Sequence, residues 1–128
     1  MKILGIGVDI IKNNRVKSLI RNKDFIKRTF GKKEIKTSLK LANKTNFFAK
    51  RFAAKEAFAK TIGTGFRNNL NFKDIEILND KLGKPYYLKS KKIDDIINKK
   101  FKVKKYDLFL SISDEKDYSV AFTILQSK

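Results

Sequence analysis

The sequence has 128 residues, with 31 Lys and Arg against 13 Asp and Glu, a formal net charge of +18, and neither Cys nor His. These absences exclude disulfides, thiolate zinc sites, cysteine nucleophiles and any site that needs an imidazole. An enzyme of this composition must work with Asp, Glu, Lys, Tyr or a metal-bound water, and the positive charge indicates an anionic partner.

The first half of the chain predicts a strand followed by helices. Residues 2–10 (KILGIGVDI) have the pattern of a buried strand that ends at an acid. The pattern over Lys12–Phe30 is helical, with asparagines as candidate caps or breaks, and a short helix is expected over Lys33–Leu41. The strongest helix signal is the Ala-rich segment 45–62, which ends at Gly63.

The second half alternates between strands and one helix. The expected elements are a strand at 72–78, a turn at Asn79–Pro85, a strand at Tyr86–Leu88, a basic amphipathic helix at 90–100, and a hairpin of strands 107–113 and 118–125. This order predicts one α+β domain over residues 1–128, built on a mostly antiparallel sheet. The missing cysteines and the absence of an export signal or membrane span predict a cytoplasmic protein.

Asp9 is the first candidate for chemistry. Strand alternation places it on the same face as Gly5 and Gly7. Two glycines beside a carboxylate leave room for a ligand or for another stretch of backbone. The alternative is an ordinary acid that caps the next helix.

Glu56 and Lys60 lie four residues apart on a face of the Ala-rich helix that is otherwise small and apolar. They are either an ordinary helical ion pair or functional groups, because charges on a buried helix need partners. The glycines of Gly63-Thr64-Gly65 that follow are either a helix cap or a loop that approaches a phosphate. Asp9 and Glu56 together could hold Mg²⁺ by two carboxylates, with Lys60 placed to meet a diphosphate.

Four segments then indicate a family. GIGVDI at 5–10, RFAAKEAFAKTIGTG at 51–65, GKP at 83–85, and SIS with YSVAF at 111–122 resemble the holo-acyl-carrier-protein synthases, which are 4′-phosphopantetheinyl transferases. The resemblance spans nearly the whole chain in the family's order. It implies that family's fold and the transfer of phosphopantetheine from coenzyme A to a serine of apo-acyl carrier protein, with release of 3′,5′-ADP.

The resemblance also implies roles for individual residues. Asp9 and Glu56 would bind Mg²⁺, with Glu56 and Lys60 as the catalytic pair. Coenzyme A would meet the following residues: Arg51, Lys60, Gly63, Gly65, Pro85 and Ser113. The acidic carrier would dock on the basic segment after Asp9, at Arg15, Leu19, Arg21, Phe25 and Arg28. The family forms homotrimers with each site at a subunit interface, and neither nucleic acid nor membrane is an expected partner.

One position departs from the family pattern. The family often has His directly after SIS, near the 3′-phosphate of the nucleotide, whereas Ser113 here is followed by Asp114. An acid cannot donate a hydrogen bond to a phosphate at neutral pH, so that contact must be lost, inverted or supplied by a neighbour such as Lys116.

A small nucleic-acid-binding protein is the alternative interpretation. The charge and the 12% aromatic content favour it. The aromatic residues, however, are mostly Phe within apolar patterns typical of a core, and no RNP, KH or zinc signature is present. This alternative leaves the Glu56–Lys60 face and the glycines beside Asp9 unexplained.

Overall fold

One long helix packed on a three-stranded sheet organises the chain. The structure is a computed structural model that describes residues 1–67 and 69–128. The helices and strands follow in this order: β1 (Ile3–Lys12), α1 (Asn13–Leu19), α2 (Lys23–Thr29), α3 (Lys32–Ser38), α4 (Lys44–Ile62), β2 (Ile77–Asn79), β3 (Pro85–Tyr87), α5 (Lys91–Phe101), β4 (Tyr106–Asp114) and β5 (Tyr118–Ser127).

All the strands pair antiparallel. β5 is the central strand of the larger sheet, in the order β1-β5-β4, and β2 and β3 form a separate two-stranded hairpin. The expectation of an α+β fold on an antiparallel sheet, with a β4–β5 hairpin at the C-terminal end, is therefore confirmed.

The long helix α4 forms the centre of the core. Most of its residues are buried, because α1 and α3 cover it on one side while the larger sheet covers it on the other. The phenylalanines of α4 pack against those of α2 and its end, with Phe48 4.6 Å from Phe30 and Phe52 6.0 Å from Phe25 between ring centroids. This burial confirms the expectation of a helix that is apolar on most sides.

The glycines of β1 bring this strand against the backbone of α4. A Cβ at Gly5 would overlap the carbonyl oxygen of Thr61, and a Cβ at Gly7 would overlap that of Ala57. Of the two uses expected for these glycines, the structure shows the close approach of another backbone.

The strand expected to be buried, β1, is buried on its helix-facing side only, because Ile6, Val8 and Ile10 are more than half exposed.

Two further predicted elements differ from the observed ones. The helical pattern over Lys12–Phe30 divides into α1 and α2 at Asn22, whose side chain accepts the N–H of Asp24 at 2.9 Å and so caps α2. The strand predicted at 72–78 begins as a 3₁₀ turn at Phe72–Asp74, because the Asp74 side chain accepts the N–H of Asn71 at 2.8 Å. Over residues 1–67 and 69–128, no helix combines the length and the apolar character needed to cross a membrane.

Candidate active site

Asp9 lies where β1 passes the C-terminal half of α4. Side chains of a strand alternate between its faces, so Asp9 shares the helix-facing side with Gly7 and Ile11 while Ile10 points away. The close packing of the strand on the helix leaves the Asp9 side chain only 17% exposed. The fold thus holds a carboxylate against α4 rather than in bulk solvent.

Lys60 reaches Asp9 from the last turn of α4. Its Nζ donates to Asp9 Oδ1 at 3.2 Å and to the carbonyl oxygen of Val8 at 3.0 Å. Its side chain is 55% exposed, so the ammonium group borders solvent. The lysine therefore links α4 to β1 and still presents a charge to a ligand.

Glu56 lies one helical turn before Lys60, on the same side of α4. The spacing in the sequence offered an ion pair between Glu56 and Lys60. In the described residues Lys60 instead forms its ion pair with Asp9. The helix carries Glu56 as a half-buried carboxylate beside this pair.

Burial makes the ionisation of both carboxylates costly. Burial raises the pKa of Asp9 above its ordinary value, and this effect exceeds the opposing attraction of Lys60 and Arg15. Burial also raises the pKa of Glu56, and the negative charge of Asp9 raises it further. The nearby positive charge is thus too little to offset the burial of either carboxylate.

This shortage fits a hard divalent cation. Mg²⁺ is commonly bound by one or two carboxylates and completes its coordination with water and substrate phosphate oxygens. Among residues 1–67 and 69–128, no group of three or more acidic side chains gathers into a larger metal cluster. Asp9 and Glu56 could therefore hold such an ion as a two-carboxylate site.

Gly63 and Gly65 both adopt backbone conformations that favour glycine. Gly63 ends α4 with φ 88°, and its N–H donates to the carbonyl oxygen of Ala59 at 3.0 Å, which confirms the helix cap. Gly65 has φ 63°, and a Cβ at this position would meet no described atom within 4 Å. The backbone at Gly65 is therefore not covered by a side chain of its own or by a described neighbour.

Arg51 lies on a different side of α4. It precedes Lys60 by nine residues, which is about half a revolution at 100° per residue. Its side chain is buried, and Nη2 donates to Asn79 Oδ1 at 2.5 Å. Asn79 pairs with Pro85 across the β2–β3 hairpin. The structure thus brings Arg51 close to Pro85 but separates both residues from the Asp9–Glu56–Lys60 group.

Ser113 and Asp114 lie at the end of β4, and both are exposed. Asp114 Oδ2 accepts the side-chain N–H of Asn46 at 2.9 Å, and Oδ1 lies 4.0 Å from Lys50 Nζ. The acid at this position is therefore directed at the first turns of α4. Asn13, which sequence reasoning missed, fixes the same β4–β5 tip by donating to the carbonyl oxygen of Glu115 at 2.9 Å.

The basic segment after Asp9 mixes surface and core residues. Arg15, Arg21 and Arg28 are exposed, and the charge of Arg15 acts on both carboxylates of the site. Leu19 is half-buried against the core. Phe25 is buried, with its ring 6.2 Å from that of Phe30 between centroids. The arginines therefore form the accessible part of this segment.

Sequence reasoning also missed a buried ion pair next to Arg51. Lys55 and Glu34 are both completely buried, and Lys55 Nζ donates to Glu34 Oε1 at 2.7 Å. The sequence did contain a signal for this pair, because Lys55 lies among the alanines and phenylalanines of a buried helix and a buried charge needs a partner.

Comparison with known proteins shows one family of relatives for this chain. Residues 5–123 match the family model described as the 4′-phosphopantetheinyl transferase superfamily. A holo-[acyl-carrier-protein] synthase from Pelagibacter ubique is 59% identical over 128 residues, which covers all of both chains. One from Orientia tsutsugamushi is 43% identical over 98% of each chain.

Solved structures give the same result for the fold. The holo-(acyl-carrier-protein) synthase from Bacillus anthracis, in complex with CoA (3′,5′-ADP), is 35% identical with a TM-score of 0.83 over all of both chains. The enzyme from Neisseria meningitidis is 35% identical with a TM-score of 0.87, over 98% of this chain and 99% of that one.

Proposed function

The chain belongs to the 4′-phosphopantetheinyl transferase superfamily, and we propose that it is a holo-acyl-carrier-protein synthase. It transfers the 4′-phosphopantetheine group of coenzyme A to a serine of apo-acyl carrier protein and releases 3′,5′-ADP. The observation that carries this proposal within the structure is the pair of neighbouring carboxylates, Asp9 and Glu56, with Lys60 in contact with Asp9.

Mg²⁺ is the cofactor in this proposal, and Asp9 and Glu56 are its protein ligands. When bound, the ion neutralises diphosphate charge and orients the phosphate for in-line attack. The support is electrostatic, because each carboxylate has a raised pKa and gains from a nearby cation. The site uses neither His nor Cys, in agreement with the composition.

Lys60 and Glu56 supply the remaining chemistry. The ammonium group of Lys60, held by the carbonyl oxygen of Val8 and by Asp9, stabilises negative charge on the oxygen that leaves with 3′,5′-ADP. Glu56 is not engaged in an ion pair with Lys60 in the described part of the chain. It accepts the proton of the carrier serine, directly or through water.

Coenzyme A lies between two copies of the chain in this proposal. Asp9, Glu56 and Lys60 form one group, while Arg51 and Pro85 lie on another side of α4. Neighbouring subunits would supply one group each to the same coenzyme. Gly63, Gly65 and Ser113 complete the coenzyme-binding set that we propose.

The outer face of the larger sheet supports a homotrimer. Along β1, Ile6, Val8 and Ile10 are 60%, 52% and 63% exposed, and Phe122 of β5 lies opposite Val8 with 41% exposure. An apolar strip of this kind marks an interaction surface, and the family resemblance implies three subunits. Light scattering should give the mass of a trimer for the wild type and of a monomer for Val8→Lys.

The carrier protein docks on the basic segment beside the metal site. Arg15, Arg21 and Arg28 attract the acidic carrier, and Leu19 and Phe25 shape the surface beneath them. The charge of Arg15 also acts on both carboxylates, which supports carrier docking next to the chemistry. We further propose that residues 1–128 act as one domain in the cytoplasm, where a chain without cysteine needs no oxidising compartment.

The test is the release of 3′,5′-ADP from coenzyme A in the presence of apo-acyl carrier protein. We expect release only when the enzyme, both substrates and Mg²⁺ are all present. A protein that binds RNA tightly and releases no 3′,5′-ADP under these conditions would instead be the basic nucleic-acid-binding protein of the alternative interpretation.

A further inference from the structure

A continuous series of polar contacts runs from the buried core to the turn before Pro85. It starts at Lys55, whose Nζ donates to Glu34 Oε1 at 2.7 Å, to the carbonyl oxygen of Phe72 at 3.0 Å, and to that of Ile75. A lysine has three N–H donors, and all three are used here. The charge of Lys55 therefore has one fixed position in the core.

Glu34 connects Lys55 to Arg51 through an ionic contact that is longer than a hydrogen bond. Its Oε1 also accepts the N–H of Gly31 at 3.0 Å, and its Oε2 accepts that of Ile77 at 3.2 Å. Arg51 Nε lies 3.8 Å from the same Oε2. The guanidinium group also lies 3.8 Å from the centroid of the Phe47 ring, so it is held from two sides.

Asn79 connects Arg51 to the turn. Its Oδ1 accepts the N–H of Arg51 Nη2 at 2.5 Å, and its Nδ2 donates to the carbonyl oxygen of Gly83 at 2.9 Å. Both ends of the amide are therefore used, one toward the core and one toward the turn. A carboxylate at this position would keep the first contact and lose the second, because it has no donor.

The turn itself carries the proposed coenzyme-binding proline. Gly83 has φ 88°, and Asp80 Oδ1 accepts the N–H groups of Leu82 and Lys84, both at 2.9 Å. Pro85 follows at once and pairs with Asn79 across the hairpin. These local contacts shape the turn, but among the described side chains Asn79 is the one that ties it to Arg51.

We infer that Asn79 is a positioning residue for coenzyme A, which fixes the Gly83–Pro85 segment relative to the buried Arg51. This inference rests on the proposed function, in which Pro85 lies along the coenzyme. Asn79 acts on the coenzyme through the turn and takes no part in the chemistry. Arg51 contributes to the same end, because its guanidinium group orients the Asn79 amide.

The test compares Asn79→Leu with Asn98→Leu in the full-length enzyme. Asn98, in the last turn of α5, offers a matched control. Its Nδ2 also donates to a backbone carbonyl oxygen, that of Val103 at 3.1 Å. We expect Asn79→Leu to raise KM for coenzyme A about tenfold, in line with the loss of orienting hydrogen bonds. kcat at saturating coenzyme A and KM for the carrier should stay close to wild type.

A second variant keeps the inference falsifiable if Asn79→Leu folds poorly. Asn79→Asp retains the acceptor for Arg51, so it should stay folded while losing the donor to Gly83. Its KM for coenzyme A should rise and remain raised at high salt, where repulsion by the added charge is screened. Calorimetric titration with coenzyme A should show the same weakening without turnover.

The outcomes separate this inference from the proposed function. If the wild type neither binds coenzyme A nor transfers phosphopantetheine, the proposed function fails. If the wild type is active but Asn79→Asp has a KM for coenzyme A within about twofold of wild type, the positioning role of Asn79 is overturned. The same holds if Asn98→Leu weakens coenzyme A binding as much as Asn79→Leu does.

Discussion

Asp9 and Glu56 oppose folding when no cation is bound. The pKa of each is raised in the folded chain, above all by burial. Below the pKa values of the unfolded chain, both carboxylates are protonated in either state and cost nothing. As the pH rises through the folded pKa values, the folded chain must give up protons that it holds more tightly, and the free energy of unfolding falls.

The first prediction follows for Glu56→Gln in the presence of a chelator. This variant removes the repulsion with Asp9, so it should melt at a higher temperature than the wild type at pH 7. The difference should vanish near pH 3, where the wild-type carboxylates are protonated. Added Mg²⁺ should stabilise the wild type more than the variant. A lower melting temperature for Glu56→Gln at pH 7 would contradict the electrostatic description of this site.

The second prediction concerns Lys60. Lys60→Met keeps the apolar stem and removes the charge, so kcat should fall by about 100-fold or more if the ammonium group stabilises the leaving diphosphate oxygen. Lys92→Met is the matched control, because Lys92 forms an ion pair with Asp74 at 2.6 Å on α5, outside the proposed site. If Lys60→Met and Lys92→Met lower the free energy of unfolding equally and leave kcat unchanged, Lys60 has a structural role only.

At the residue scale, the sequence identified the acidic pair and Lys60 but not their pairing. Helical spacing offered Glu56 and Lys60 as partners, whereas the structure pairs Lys60 with Asp9. The difference arises because periodicity describes neighbours on one helix, and the partner comes from β1. The burial of Arg51 against Asn79 was equally inaccessible, since the β2–β3 hairpin is distant in sequence.

At the scale of elements, the contact between β1 and α4 determines the geometry of the site. Gly5 and Gly7 let the strand approach the helix backbone without a layer of side chains. This approach is what places Asp9 within reach of Lys60. The glycines of the GIGVDI segment therefore serve the site through packing, because the space beside them is filled by α4.

The third prediction tests this packing. Gly7→Ala would force a methyl group into the carbonyl oxygen of Ala57, so it should lower the free energy of unfolding by about 3 kcal/mol. Gly83→Ala, where φ is 88° but a Cβ meets no described atom within 4 Å, should cost only about 1 kcal/mol. Denaturant titration measures both values. Similar costs for the two variants would rule out a close strand–helix contact.

Strong patterns predicted the elements best. The Ala-rich helix was expected at 45–62 and is found at Lys44–Ile62, and the C-terminal hairpin was expected with similar bounds. The helical pattern of Lys12–Phe30 did not reveal the break between α1 and α2. The apolar spacing continues through the break, whereas Asn22 caps the start of a new helix there. A side chain that hydrogen-bonds to nearby backbone N–H groups offers an alternative to a continuous helix, and the apolar pattern alone does not show which of the two forms.

At the scale of the whole molecule, the fourth prediction concerns the carrier protein. Arg15→Glu with Arg21→Glu should raise KM for the carrier about tenfold or more, because these exposed arginines attract the acidic partner. KM for coenzyme A should stay close to wild type. Added salt should weaken carrier binding by the wild type more than by the double variant.

The matched control reverses the same amount of charge elsewhere. Lys104→Glu with Lys105→Glu changes two exposed cations between α5 and β4. If the carrier is attracted by the overall charge of +18 alone, both double variants should raise KM for the carrier equally, and the docking surface would lie elsewhere. A selective effect of Arg15 and Arg21 supports docking beside the metal site.

The proposed transfer can be measured from the mass of apo-acyl carrier protein after incubation with coenzyme A and the enzyme. In the presence of Mg²⁺, the carrier should gain one phosphopantetheinyl group, and it should gain none with a chelator, with Glu56→Gln, or when its acceptor serine is replaced by alanine. An unchanged carrier mass after prolonged incubation with the wild-type enzyme and Mg²⁺ would contradict the account.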